Sequence, residues 1–109
     1  MLQQSSQKLD LSWNQMTQLP YGAFSELRAL EKLELQYNQL ERLPENIFKD
    51  LGSLKILNLS NNHLIELPQA GFSELKSLQS LSLRQNFITM LDDKDLSHLV
   101  HLEMLDLGS

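Results

Sequence analysis

Cysteine is absent from this chain, and so is any apolar run approaching the ~18 residues needed to cross a bilayer. The first absence excludes a disulfide framework and any thiolate metal site within the 109 residues, while leaving the redox compartment open. The second predicts no membrane contact by this segment itself. Basic residues are scarce: 9 Lys and Arg against 14 Asp and Glu give a net charge of −5, which argues against nucleic acid as the main partner. Four glycines form no Gly-rich phosphate loop. One Val and four Ile are too few for a Val/Ile-rich doubly wound sheet. The opening Met1-Leu-Gln-Gln-Ser-Ser has neither the basic nor the apolar region of a signal peptide. Ser, His and Asp are present, but no pattern converges a nucleophile on a base. No catalytic residue, cofactor site or metal site is therefore expected, and the chain does not read as an enzyme.

What the sequence has in excess is leucine, 26 of 109 residues, and it is periodic. Asn14, Asn38, Asn62 and Asn86 are each 24 residues apart. Setting the register from them gives repeats at 6–29, 30–53, 54–77 and 78–101, a partial repeat at 102–109, and a lead-in at 1–5. Repeat position 4 holds Leu9, Leu33, Leu57, Leu81 and Leu105. Position 6 holds Leu11, Leu35, Leu59, Leu83 and Leu107. Positions 11, 14 and 22 are apolar in all four repeats, and position 19 holds Phe24, Phe48, Phe72 and then Leu96.

Each column has a structural meaning. Within Leu33-Glu-Leu35 and its copies the period is 2, the mark of a short half-buried strand. Strands recurring once per unit in one register pair in parallel, ~4.8 Å apart. The chain then turns at the asparagine. A buried Asn amide must bond loop backbone of its own and, we expect, the next repeat, making a ladder of satisfied amides. Pro20, Pro44 and Pro68 sit where no ladder donor is needed. The segments that follow carry apolar residues three apart and read as one turn of helix or 3₁₀ on the outer side, each dropping a Phe inward. Phe24, Phe48 and Phe72 are expected as core spacers. An outer side wider than the strand side curves the stack, with the sheet on its concave face.

The pattern L-x-x-L-x-L-x-x-N-x-L-x-x-L-P-x-x-x-F-x-x-L-x-x resembles the 24-residue "typical" leucine-rich repeat, matched at every marked position by Leu30–Ser53 and Leu54–Ser77. The resemblance covers residues 6–109. It implies an α/β repeat fold: a right-handed solenoid with a curved parallel sheet on the concave side and short helical or 3₁₀ segments on the convex side. It also implies recognition of a protein or other macromolecular ligand, most like part of a Toll-like innate immune receptor ectodomain, on the extracellular side of a membrane or secreted. A matrix proteoglycan-type scaffold or an intracellular, cytoplasmic adaptor is the alternative. Repeat four departs from the pattern at Asp92 and Leu96. The Cys-containing caps usual in the family are missing. Both ends would then expose a slice of core: Leu9, Leu11, Met16, Leu19 and Phe24 at one, Leu102, Leu105 and Leu107 at the other. The chain reads as a slice of a longer protein or a truncated product, able to self-associate through these ends.

Strand residues pointing away from the core carry any binding site. Trp13 and Tyr37 share position 8 on adjacent strands and are the candidate hot spot; as a cross-strand pair they would instead simply cover each other. Lys8 and Lys32 stand beside Asp10 and Glu34, an arrangement that also suits surface pairing of small energetic worth. Ile56 and Arg84 complete the candidate contact set. Phe87, at position 10, marks either a second contact or a local packing change. Asn58-Leu-Ser60 is an N-glycosylation sequon, at an asparagine expected to point out of the middle of the sheet. Asp92-Asp-Lys-Asp95 lacks the spaced ligands of a calcium loop and suits helix capping by Asp93 or Asp95. His98 and His101 read as a solvated pair.

Overall fold

The computed structural model describes residues 7–68, 71–89 and 99–108. It contains five three-residue strands: β1 (Lys8–Asp10), β2 (Lys32–Glu34), β3 (Ile56–Asn58), β4 (Ser80–Ser82) and β5 (Met104–Asp106). They form one parallel sheet in the order β1-β2-β3-β4-β5. Every pairing has the same 24-residue offset: Leu9 meets Leu33, Leu33 meets Leu57, Leu57 meets Leu81 and Leu81 meets Leu105. The periodic leucines dictate this register, since any slip would turn a leucine to water. Because each strand returns beside its predecessor, the chain winds as a right-handed solenoid.

The sheet hydrogen bonds run past the formal strand ends. The N–H of Leu11 donates to Glu34 O (2.8 Å) and that of Trp13 to Gln36 O (3.1 Å), and the same pair of bonds recurs in the next three repeats. Inside, Leu33, Leu35, Leu57, Leu59 and their copies form one continuous core with Phe24, Phe48 and Phe72. The Phe48 and Phe72 rings stack with centroids 6.0 Å apart and an interplanar angle of 20°.

The outer side is built of separate turns. Ala23 N–H donates to Pro20 O, Ser25 to Gly22 and Leu27 to Phe24, all with i to i+3 spacing. Ile47, Lys49 and Leu51 repeat the pattern on Pro44, Asn46 and Phe48. These are 3₁₀-type bonds used singly, and no helix runs through them or elsewhere among the described residues. Positive φ at Gly22 (74°), Glu26 (68°) and Asn46 (62°) breaks any continuous helix there. Among the described residues no helix is long and apolar enough to cross a membrane.

The asparagine ladder runs in the opposite direction from the one expected. Asn38 Oδ1 accepts the N–H groups of Asn14 and Met16, each at 3.0 Å, and its Nδ2 donates to the carbonyls of Leu11 and Leu35, each at 3.0 Å. Asn62 accepts the Leu40 N–H and donates to Leu35 O and Leu59 O, and Asn86 accepts the Leu64 N–H and donates to Leu59 O and Leu83 O, so each of these asparagines ties its own repeat to the preceding one. The reason is geometric: the loop after a strand leaves N–H groups pointing toward the following repeat, and that repeat's asparagine receives them. Among the described residues the Asn14 side-chain amide bonds only within its own repeat, to Leu11 O and Ser12 O, and Asn14 is exposed.

Among the described residues the two flanks of the stack are less exposed than the sequence implies. Leu9, Leu11 and Met16 are half-buried, but Leu19 and Phe24 are already buried. At the other end Leu102 is half-buried while Leu105 and Leu107 are exposed. The Asp92–Asp95 run, Leu96, His98 and the lead-in 1–5 lie outside the described residues; His101 is exposed.

Candidate functional site

Positions 8 to 10 form the edge where each strand leaves the sheet. Position 8 is pinned by its N–H bond to the next repeat, and position 9 is the ladder asparagine. Position 10 is pinned backward: Gln39 N–H donates to Met16 O, His63 to Leu40 O and Phe87 to Leu64 O. Reversing the chain this sharply forces position 8 into the left-handed region, with φ of 62° at Trp13, 61° at Tyr37, 56° at Asn61 and 59° at Gln85. Asn tolerates this conformation, whereas a bulky side chain there carries a steric cost of roughly 1–2 kcal/mol. Two aromatic residues occupy it nonetheless.

Trp13 and Tyr37 stack face to face, with ring centroids 3.9 Å apart and planes within 7°. The stack does not hide them: Trp13 remains 70% exposed and Tyr37 42%. A second ring pair stands two repeats further along the same edge. His63 and Phe87, at position 10, have centroids 5.6 Å apart and planes tilted by 37°, and Phe87 is 61% exposed. Phe87 is therefore not absorbed into packing. Its pairing with His63 was not foreseen from the sequence, where shared position 10 was the signal.

The floor of the concave face is charged and largely self-paired. Glu34 lies 3.2 Å from Lys8 Nζ and 4.0 Å from Lys32 Nζ, and Arg84 lies 3.7 Å from Asp106. The Gln36 amide donates to Glu34 Oε1, and with Lys8 and Lys32 it holds the Glu34 carboxyl below the usual range. Asp10 is likewise lowered, by the Ser12 hydroxyl and N–H and then by the two lysines. Ile56 is exposed between these ends, on β3. Among the described residues no cluster of His, Asp and Glu is placed to hold a metal.

Asn58 lies in register with Glu34, on the face of β3 opposite buried Leu57. Its Oδ1 accepts the N–H and hydroxyl of Ser60 at 3.0 and 2.7 Å; Asn58 is half-buried and Ser60 is buried. Asp10 with Ser12 and Asp106 with Gly108 make the same turn-closing bond, so Asn58 ends a strand as an aspartate does elsewhere in the column.

Two matches to the leucine rich repeat family model, at residues 5–64 and 53–109, cover nearly the whole chain. The chain is a leucine-rich repeat protein. The repeat domain superposes on the leucine-rich repeat domain of APL1B with a TM-score of 0.92 at 26% identity, covering 94% of this chain and 31% of that one. It also matches TLR13, solved in complex with ssRNA13, with a TM-score of 0.86 at 34% identity (93% and 14% covered). The Toll protein of Drosophila, solved with Spatzle, matches with a TM-score of 0.83 at 26% identity (93% and 13% covered). This repeat segment thus spans a third or less of the length of each of these chains. Among curated proteins none matched it in sequence.

Proposed function

We propose that this chain is a recognition module of a Toll-like innate immune receptor ectodomain, facing the extracellular side and binding a protein partner through its concave sheet and the adjoining edge. The observation that carries this reading is the Trp13–Tyr37 stack: two large rings held on a strained backbone and left in water. Burial in the fold returns little of that cost, whereas burial under a partner would, and a rigid sheet loses little ordering entropy on binding. The likeness to TLR13 and Toll supports the receptor setting. Lys32, Glu34, Ile56 and Arg84 supply the surrounding floor. Asn58 is the candidate glycan site in this setting, to be checked by mass spectrometry of the secreted chain.

Reading the parent transcript on both sides tests the setting. A Cys-rich cap, a membrane span and a cytoplasmic signalling domain support a receptor. Caps without a span mean a matrix scaffold, and neither caps nor leader mean a cytosolic adaptor; either result overturns the receptor reading.

A further inference from the structure

The sheet floor and the edge beside it differ in kind. The floor carries six charged residues, most of them already in ion pairs with one another. The edge, positions 8 and 10 of four consecutive repeats, contains no Asp, Glu, Lys or Arg. It carries the two ring pairs, Trp13–Tyr37 and His63–Phe87, and between and beside them only Asn and Gln amides such as Asn61 and Gln85. Depletion of charge with enrichment of exposed aromatics is the composition of a protein–protein interface core. The backbone beneath is fixed in three ways: position 8 bonds forward, position 10 bonds backward and position 9 is locked in the asparagine ladder. Rings on such a frame are pre-organised. Three strand spacings separate Trp13 from Phe87, about 14 Å, the reach of four or five residues of an extended chain.

We propose that this edge, and not the charged floor, is the principal docking line, and that its occupant is an uncharged extended protein segment. That segment presents aliphatic side chains to the rings and main-chain groups to the Asn and Gln amides. The absence of charge on the edge argues for this occupant: a charged segment would lose its water there and gain no counter-charge. The inference rests on the recognition reading above and says where recognition occurs and by what chemistry.

Trp13 is the only tryptophan, so its emission reports on the edge directly. Peptides selected on the full chain from a random display library are resynthesised and titrated by Trp13 emission, with the Trp13→Ala chain followed by calorimetry. Uncharged, aliphatic-rich peptides are expected. Their affinity should fall by about tenfold or more in Tyr37→Ala, Trp13→Ala and Phe87→Ala. It should fall by less than about threefold in Ile56→Ser and Lys32→Ala, and stay level between about 0.05 and 0.5 M NaCl. Charged peptides lost on raising salt, or on Lys32→Ala with Phe87→Ala silent, place recognition on the floor: the edge inference then fails while the recognition reading stands. Failure to select any peptide overturns both. A single-stranded oligouridine is the second probe. It should leave Trp13 emission unchanged; quenching that disappears in Tyr37→Ala would assign the edge to base stacking instead.

Discussion

A tyrosine in the left-handed region is a conflict between one side chain and the path of the whole backbone, and Tyr37 embodies it. Tyr37→Asn relieves a backbone cost of about 1 kcal/mol while losing a ring stack worth about 0.5–1.5 kcal/mol. Stability by urea unfolding is thus expected to change by less than about 1 kcal/mol, while binding through the edge falls sharply. A large loss of stability instead would mean that the stack is part of the fold's support. The ladder asparagines behave in the opposite way. Asn38 and Asn62 are buried and bridge two repeats, so Asn38→Ala or Asn62→Ala should cost about 2–3 kcal/mol; exposed Asn14, which bridges none, should cost under about 1. Equal losses at all three would break the account. Glu34 sets a pH dependence. Its carboxyl is held below the usual range in the folded chain, so its contribution is full above the ordinary carboxylate value and disappears as the pH falls through the lowered one. The acid limb of the unfolding curve should therefore be shallower in Glu34→Gln than in the parent chain.

Strand and turn obey different physics, and they differ in how far they can be read in advance. The strands are legible because one leucine stripe admits one register, and Leu33 meets both Leu9 and Leu57 as the period requires. The phenylalanine column is legible for the same reason: Phe48→Ala should remove about 3–5 kcal/mol, since its ring is fully enclosed against Phe72. The outer segments are less legible. Apolar spacing of three suits a helix as well as consecutive turns, and only the positive φ of Glu26 and Asn46 decides for turns. The ladder's direction is also not in the sequence, because an amide's residue type does not say which neighbour it faces. The turn that Asn58 closes on Ser60 is likewise not in the pattern, because a period of 2 gives the face of a side chain and not its hydrogen-bond partner. Gly71 is another turn feature invisible in composition. A Cβ there would collide with the Pro68 ring, so Gly71→Ala should destabilise by about 1–3 kcal/mol, and by clearly less in a Pro68→Ala background. Equal cost in both backgrounds would exonerate the proline.

Taken as a whole, the molecule is a one-dimensional stack in which each strand touches only its neighbours in sequence. Among the described residues its two flanks are unlike: Leu9 of β1 and the following Leu11 are half-covered, while Leu105 of β5 and the following Leu107 are exposed. Such ends favour head-to-tail contact between copies. Light scattering should show a mean mass rising with concentration and returning toward the monomer in Leu107→Glu; a mass independent of concentration would count against it. The constant offset between partners has one more outcome, for heredity rather than stability. Unequal crossing-over that removes or duplicates a whole number of 24-codon units, such as Leu54–Ser77, leaves every surviving stripe aligned across the junction. The interval between the Tyr37 and Phe87 rings would then shrink or lengthen by one strand spacing per unit, so a lineage can retune its reach by copy number without altering a single codon.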